Sequence, residues 1–543
     1  MSIFQKKSIE SLITESKEEG ERTLKKTLGP YQLIALGLGA IIGAGLFSIT
    51  GLAAGIHAGP AITLSFLIAA AGCGFAALCY AEFASMIPVA GSAYTYSYAT
   101  LGEFIAWVIG WDLVLEFAVA SATVSISWSR YFTKFLEGFD VYLPIELTAG
   151  PWEGGWVNLP AAFIICVMSL LLIRGTEGSS IVNSIIVFLK VVVVITFIIL
   201  GWKYIRSENF VPYIPESTGT WGEFGYGGVL RGAAIVFFAF LGFDAVSTAA
   251  QETKNPKKNM PIGIIGSLII CTILYILFAY VLTGVTNYTT FQGRDGIAPV
   301  AIAIDHMGEI LPDGSIQPAF PWLNKAIILA ILAGYSSVIL VMLLGQSRIF
   351  YSMSKDGLLP KIFSEVHPKY RSTYKSNLLF LLLVSAFAML APAHVAGELT
   401  SIGTLLAFII VSIGIIVMRK NQPNAPRAFK TPAVPLVPIL GICFCLFMMV
   451  SLPFDTWIRL ILWMLLGHDI YCFYGSSRSN LGAKKGVKIL SIVGLGIASF
   501  LLILTIIHQW HLGWESITGF SYFLLFIALS HIILYGIKVT KDK

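Results

Sequence analysis

Long apolar runs alternate along this chain with short polar stretches that hold nearly all of its charges. A run of about 20 apolar residues is long enough to cross the hydrocarbon core of a bilayer as an α-helix. The pattern therefore predicts an all-α polytopic membrane protein with about fourteen transmembrane segments. They are predicted at 31–55, 61–87, 101–128, 157–174, 181–202, 229–250, 262–284, 323–347, 377–393, 398–418, 434–453, 457–474, 487–508 and 517–537.

The first segment contains a glycine-rich interruption, in which Gly39 to Phe47 reads Gly-Ala-Ile-Ile-Gly-Ala-Gly-Leu-Phe. Each glycine weakens a helix by roughly 1 kcal/mol relative to alanine. A helix broken at this depth exposes backbone N–H groups, and these attract anions. The alternative is that the glycines let another helix pack closely, since Gly39 and Gly43 form a GxxxG pair.

The sixth segment carries a matching interruption, where Phe237 to Asp244 reads Phe-Phe-Ala-Phe-Leu-Gly-Phe-Asp. It follows the first interruption by five segments, an odd number, so the second unit enters the membrane with opposite polarity. Two such units are the pattern of an inverted-repeat transporter. The predicted divisions are an N-terminal tail at 1–30, a first five-helix repeat at 31–202, a second at 229–418, four further helices at 434–537 and a C-terminus at 538–543.

Composition excludes a soluble globular protein, because the chain is 56% hydrophobic and only 12% charged. Most lysines and arginines fall in alternate loops, which the positive-inside rule assigns to the cytoplasm together with both termini. We therefore expect a multi-pass protein of the plasma membrane, in bacteria the inner membrane. The net charge of +6 follows from these loops, and nucleic-acid binding is not indicated. The predicted external parts hold Arg130, Lys134, Lys203, Arg206, Arg231, Arg294, Lys325 and Arg459.

Motifs of enzymes are absent from the sequence. It contains no P-loop, no HExxH zinc motif and no nucleophile elbow. Its histidines show no spacing typical of a metal site, and its cysteines lie in apolar segments as expected for free packing thiols. We therefore expect no catalytic residue, no metal and no cofactor.

Lys190 lies inside the fifth segment, about nine residues from its nearer end, or roughly 13 Å at the helical rise. That depth exceeds the easy reach of one lysine stem to the interface. A charge there is costly, so an ionisable residue inside a membrane segment is a functional candidate by default. Lys190 could release a proton in one state of a transport cycle. It could also be a structural lysine bonded to helix-end carbonyls.

Three of the carboxylates in the membrane segments are functional candidates beside this lysine. Asp112 and Glu116 are four residues apart and so lie on one face of the third segment. Asp244 comes directly after the second interruption. Each could pair with a cation, relay a proton or bind a freed backbone N–H group. Asp112 is close enough to the helix start that it could instead face a polar vestibule.

Three hydroxyl groups are weaker candidates for a side-chain pocket or a gate. Tyr275, in the seventh segment, is either a gate or a packing residue. Ser336 and Ser337, in the eighth, could line a pocket, although serines commonly bond back to their own helix. For a cationic side chain, Asp244, Glu116 or this serine pair would have to compensate the cost of desolvation.

Six motifs stand out between about residues 28 and 475. They are Gly43-Ala44-Gly45-Leu46-Phe47, Pro88-Val-Ala-Gly91-Ser92-Ala-Tyr94, Gly110-Trp111-Asp-Leu-Val-Leu-Glu116, Phe240-Leu-Gly-Phe243-Asp244, Glu252-Thr-Lys-Asn-Pro256, and Ser347-Arg348 to Asp356-Gly357-Leu-Leu-Pro360. Together they resemble one known family, the amino acid–polyamine–organocation superfamily, and within it the cationic amino acid transporter branch. Fourteen segments also resemble the longer members of that branch.

The resemblance implies a LeuT-type fold with discontinuous helices 1 and 6, and proton-coupled uptake of L-amino acids. The substrate carboxylate would meet N–H groups at Gly43, Ala44 and Gly45. Where members carry a hydroxyl group in this loop, the chain has Ala44, so one carboxylate contact is missing. Lys190 matches the lysine that replaces a sodium ion. The substrate ammonium would meet the carbonyls of Ile41, Phe238, Ala239 and Leu241, and the ring of Phe240 would cover the site.

The functional hypothesis is a secondary active transporter that couples L-amino acid uptake to protons by alternating access. An exchanger without net proton flow is the alternative within this class, and an amino-acid receptor or a channel is the alternative outside it. Cationic, small neutral and mixed substrates all fit the sequence. The partners are the amino acid, the proton and the bilayer, and the sequence leaves open an oligomer or a small membrane subunit.

Overall fold

The structure, a computed structural model, describes residues 4–16, 26–43, 45–292, 299–310, 316–391, 393–452, 454–480, 487–512 and 519–541. Helices dominate it, and β1 (Gly308–Ile310) pairs antiparallel with β2 (Ile316–Pro318). The helices are α1 (Ile9–Ser16), α2 (Pro30–Ile41), α3 (Thr50–Ala53), α4 (Ile62–Met86), α5 (Ala93–Thr100), α6 (Glu103–Glu137), α7 (Ile145–Thr148), α8 (Leu159–Ile173), α9 (Thr176–Trp202), α10 (Gly225–Val236), α11 (Ala245–Thr248), α12 (Pro256–Val285), α13 (Pro299–Asp305), α14 (Pro321–Lys355), α15 (Tyr374–Leu390), α16 (Ala393–Asn421), α17 (Leu436–Val450), α18 (Phe454–Ile470), α19 (Ser476–Arg478), α20 (Val487–Leu512) and α21 (Gly519–Lys541).

Among the described residues, nine helices are long and apolar enough to cross a membrane, or ten if Leu436–Val450 and Phe454–Arg478 form one bent span. The prediction of a polytopic helical membrane protein is therefore confirmed. Every predicted segment coincides with a helix, although α2, α8 and α15 are short. The number of crossings stays a prediction. Beside the helices, two three-residue strands, β1 and β2, pair antiparallel before α14.

Helices that are five predicted segments apart pack against each other. α4 packs along α12, α6 along α14, and α8 against α15. These contacts bury one continuous apolar core around the two interrupted segments. A second, smaller core joins α18, α20 and α21 through residues such as Leu465, Leu501 and Ala528. The last helices are thus held together largely by contacts of their own.

Buried ion pairs fix the end of the helix bundle where α14 and α16 end. Glu252 and Arg348 form an ion pair whose side chains are almost fully buried. Glu82 accepts two hydrogen bonds of 2.9 Å from Arg419 and one of 3.0 Å from Arg427. Removing one partner of a buried pair costs about 3–5 kcal/mol, because the other charge is left uncompensated. These pairs give the motif residues Glu252 and Arg348 a structural explanation.

Candidate functional site

The first interrupted segment breaks where the sequence predicts it. Helix α2 ends at Ile41, Ile42 takes an extended conformation, and the chain resumes as a π-helical turn at Gly45–Ile49. The N–H groups of Leu46 and Phe47 both lie 3.2 Å from the carbonyl oxygen of Gly43. Ala44 lies outside the described residues, so its contact with a carboxylate stays a prediction.

The second interrupted segment breaks in a different way. Helix α10 tightens into a 3₁₀ turn at Phe237–Phe240, Leu241 is extended, and Gly242 has a φ of 111° before α11 begins. Only glycine adopts such a backbone readily. A Cβ atom at this position would also lie 2.7 Å from the Cβ of Ala40, so the glycine serves both the turn and the contact between the two segments.

The two breaks touch through backbone atoms. A Cβ atom on Gly45 would lie 2.3 Å from the Cα of Ala239, and one on Gly43 would lie 2.8 Å from a methyl group of Val338. Contacts this short leave no space for a side chain. The explanation by close packing therefore applies to these glycines. It does not exclude a carboxylate at their N–H groups, which stays a prediction.

Tyr275 of α12 joins the two breaks directly. Its hydroxyl oxygen lies 2.8 Å from the carbonyl oxygen of Ile41 and 2.9 Å from that of Ala239. These are two of the carbonyls predicted to accept the substrate ammonium. A hydroxyl group has one hydrogen, which the two acceptors must share. The tyrosine thus donates to both helix ends from a fully buried position.

Lys190 reaches the first break from α9. Its fully buried ammonium donates to the carbonyls of Gly39 at 3.0 Å and Ile42 at 2.9 Å, and to Ser337 Oγ at 2.8 Å. All three ammonium hydrogens therefore have an acceptor. Ser337 lies 3.0 Å from the carbonyl of Gly39, which completes a link between α9, α2 and α14. This geometry fits both alternatives, a structural lysine bonded to helix-end carbonyls and a lysine that releases a proton during the transport cycle.

Sequence reasoning missed a second polar contact on the same face of α9. Asn183 lies seven residues before Lys190 and donates from Nδ2 to the carbonyl of Ala35 at 3.1 Å. A Cβ on Gly39 would lie 2.6 Å from its side-chain oxygen. The signal was present, because an asparagine two turns from an intramembrane lysine faces the same neighbour.

A cavity of about 30 Å³ lies between the two breaks. That volume holds about one water molecule, so an amino acid would have to displace neighbouring groups. Glu116 is the one charged residue in its described lining, and the apolar wall residues Val338 and Met342 carried no signal in the sequence. The lining consists of Ala40, Ile41, Gly43, Gly45, Glu116, Ala120, Val124, Phe238, Leu241, Val338 and Met342.

The other two carboxylates lie outside this lining. Asp112 is fully buried, and its Oδ1 would be 3.1 Å from a Cβ on Gly403 of α16. It therefore faces α16 rather than a polar vestibule. Asp244 is also fully buried, and neither of its carboxylate oxygens has a hydrogen-bond partner among the described residues. Its three proposed roles, which are pairing with a cation, relaying a proton and binding a freed backbone N–H group, therefore stay predictions.

Two further predicted residues have positions that differ from their proposed roles. Ser336 donates to the carbonyl of Leu332 in its own helix at 2.8 Å and does not line the cavity. Phe240 packs against Tyr275 with ring centroids 5.2 Å apart, while Phe238 supplies the aromatic ring of the cavity wall. Sequence alone could not choose between these rings, because the 3₁₀ turn changes which of them points inward.

Comparison with known proteins identifies the chain at the level of the family. The profile of the amino acid permease family matches residues 28–468. A branched-chain amino acid permease of Bacillus subtilis is 45% identical over 484 residues, which cover 88% of this chain and 99% of that protein. A methylthioribose transporter of the same organism is 41% identical, with the same coverage.

A vacuolar cationic amino acid transporter of Arabidopsis thaliana is 35% identical over 425 residues, which cover 78% of this chain and 68% of that protein. These relatives are transporters rather than enzymes, and the helical fold agrees with them. The chain belongs to the amino acid permease family, within the amino acid–polyamine–organocation superfamily.

Proposed function

We propose that this protein is a secondary active transporter that takes up L-amino acids together with protons by alternating access. The observation that carries the proposal is the contact of the Lys190 ammonium with two carbonyls of the broken first segment. Lys190 is titratable and binds the first helix break, so its protonation state affects how firmly that segment is held. Movement of the same segment would open the site. The proposed location is the plasma membrane, with both termini in the cytoplasm.

The architecture we propose is a LeuT-type inverted repeat of residues 31–202 and 229–418, followed by four appended helices at 434–537. Its support is the pairwise packing of α4 with α12, α6 with α14 and α8 with α15. In a pseudo-twofold arrangement, such pairs are the corresponding members of the two repeats. The breaks in the first and sixth segments also correspond, and they touch each other.

The proposed substrate pose uses the free backbone groups of both breaks. The carboxylate binds N–H groups of the Gly43–Gly45 stretch, at the start of a half-helix where anions are favoured. The ammonium binds carbonyls at the ends of the other halves, including those of Ile41 and Ala239. Tyr275 now donates to these two oxygens, so the substrate must displace its hydroxyl group or share them with it. An ammonium is the stronger donor, because its hydrogen bonds are charge-assisted.

The proposed substrate class is L-amino acids with apolar side chains, branched ones included. Its support is a cavity wall of Ala120, Val124, Val338 and Met342, together with the name of the 45% identical relative. Glu116 gives the same wall one carboxylate, which would accept the charged end of a cationic substrate. Because the 41% identical relative is named for methylthioribose, a binding screen has to include that compound beside the amino acids.

The proposed coupling step is the protonation of Lys190. The charged lysine holds α2 to α9 and α14, as a bound sodium ion would. When the lysine loses its proton to the cytoplasm, these hydrogen bonds weaken and the inward-open state becomes more favourable. One proton then moves with each substrate molecule. An exchanger without net proton flow would keep the same lysine charged throughout the cycle.

Counterflow in proteoliposomes tests the carrier assignment. Vesicles loaded with unlabelled leucine should accumulate labelled leucine transiently above its external concentration, because a carrier exchanges one for the other. A channel or a receptor gives no such overshoot, so its absence at saturating leucine would overturn the proposal. The vesicles are then loaded with arginine, valine or methylthioribose in place of leucine. The size of the labelled-leucine overshoot ranks these compounds as substrates.

A further inference from the structure

A groove lined by both polar and apolar residues opens at the surface of the helix bundle between the start of α2 and the start of α9. It encloses about 660 Å³, more than twenty times the volume of the central cavity. It lies away from both breaks, and nothing in the proposed transport cycle uses it. Its lining consists of Lys26, Thr27, Leu28, Gln32, Ser180, Ile181, Ser184, Ile185, Phe188 and Lys254.

Two lysines give one side of the groove a positive charge. Lys26 and Lys254 lie on its rim, both exposed. A backbone hydrogen bond links their two chain segments. The N–H group of Lys254 donates at 2.7 Å to the carbonyl of Leu28, which lies two residues after Lys26. The hydroxyl groups of Thr27 and Ser180 lie on the same lining, whereas Ser184 donates its hydroxyl hydrogen to the carbonyl of Ser180 at 2.8 Å. No carboxylate is among the described residues of the lining. This set of donors fits a phosphate group.

The outer part of the groove is apolar and lies on the outside of the helix bundle. Ile181, Ile185 and Phe188 follow one face of α9 and are 59%, 64% and 72% exposed. Within the most apolar 18-residue stretch of this helix, only 28% is buried inside the protein. In a membrane protein, such a face contacts acyl chains. The groove therefore joins a cationic, hydroxyl-lined pocket to a surface that lies in lipid.

We propose that this groove binds the headgroup of an anionic glycerophospholipid. Lys26 and Lys254 neutralise the phosphate, the hydroxyl groups of Thr27 and Ser180 donate to its oxygens, and one acyl chain lies along Ile185 and Phe188. The site is independent of the amino-acid site. A lipid held there contacts the beginning of α2, the half-helix whose far end binds Lys190. Membrane composition would thereby influence how firmly α2 is held against α9.

The experiment is a lipid titration of the full-length protein in detergent, read by native mass spectrometry. The probes are phosphatidylglycerol and phosphatidylcholine with the same acyl chains. The variant Lys26→Gln/Lys254→Gln is compared with Lys257→Gln/Lys258→Gln, which removes two exposed lysines that do not line the groove. A lysine near a lipid surface contributes about fivefold in affinity, so the first variant should bind phosphatidylglycerol about 25-fold more weakly.

The control variant should bind as the unmodified chain does, and phosphatidylcholine should bind weakly to all three proteins. Equal loss in both variants would mean non-specific surface charge and would overturn the proposal. So would unchanged binding by the groove variant. Inorganic phosphate alone is the last competitor. If it displaces phosphatidylglycerol at concentrations similar to those of the lipid, the groove takes a soluble anion and the assignment to a lipid is wrong.

Discussion

The two helix breaks are similar in position but are held by different chemistry. At the first, the carbonyls of Gly39 and Ile42 bind an ammonium group from α9. At the second, the carbonyl of Ala239 binds the hydroxyl group of Tyr275 from α12. An ammonium can gain and lose a proton at cellular pH when its environment allows, whereas a tyrosine hydroxyl is simply a donor. The difference suggests that protons act on the first break, while the substrate acts where both breaks meet.

The largest effect should follow from forcing the breaks apart. In Gly45→Val, the new side chain would collide with the backbone of Ala239, because a Cβ atom at position 45 would lie 2.3 Å from the Cα of Ala239. We expect the protein to insert in the membrane but amino-acid binding to fall below detection in a thermal-shift assay. Gly74→Val is the control, because a Cβ there meets open space. Unchanged affinity in Gly45→Val would count against a site at the breaks.

Glu116 tests whether the space between the breaks distinguishes charged from neutral substrates. It is the one carboxylate among the described residues of the cavity wall, and charged hydrogen bonds contribute about 1.5–3 kcal/mol. In Glu116→Gln, we expect the affinity for arginine relative to leucine to fall about tenfold or more. Asp112→Asn, one helical turn away and outside the lining, should leave the ratio unchanged. If both ratios stay the same, specificity resides elsewhere.

Tyr275→Phe sharpens the comparison by freeing the carbonyls of Ile41 and Ala239. A buried acceptor without a partner costs about 1–3 kcal/mol, and a bound ammonium would restore the missing hydrogen bond. We therefore expect leucine affinity to rise about fivefold while the melting temperature without substrate falls. Tyr335→Phe, whose hydroxyl group bonds Ser48, is the control. Weaker leucine binding would mean that the Tyr275 hydroxyl group contacts the substrate itself.

The smallest expected difference lies between two neighbouring serines. Ser337 connects Lys190 to the carbonyl of Gly39, so Ser337→Ala should lower stability by about 1 kcal/mol. Ser336 bonds only within α14, and Ser336→Ala should change stability by less than about 0.5 kcal/mol. Thermal unfolding of the two variants in the same detergent measures this. Equal effects would show that Ser337 does not support the lysine.

The sequence predicted the parts of the site that have a chemical signature. Glycines in the middle of an apolar segment and a lysine far from both interfaces are costly, so their presence identified the first break and Lys190. The same argument extended to Asn183 would have found its bond to α2. The positions of the helices along the chain were predictable for a similar reason, since the length of an apolar run follows the thickness of the bilayer.

Other parts of the site depend on how helices are rotated against each other, and the sequence does not contain that information in readable form. Val338 and Met342 line the cavity, yet they resemble every other apolar residue of α14. Phe238, and not Phe240, is the ring of the cavity wall because of a 3₁₀ turn that no local sequence feature predicts. The sequence left three roles open for Asp244, because the full burial of its carboxylate is seen only in the structure.

Concentrative uptake by Lys190→Met tests the central claim most directly. Proteoliposomes receive an inward proton gradient without sodium, and both accumulation and counterflow of labelled leucine are measured. The account predicts that the methionine variant keeps counterflow but loses accumulation. Lys190→Arg should also lose accumulation, because a guanidinium group does not release its proton. Normal accumulation by Lys190→Met would contradict proton coupling through this lysine.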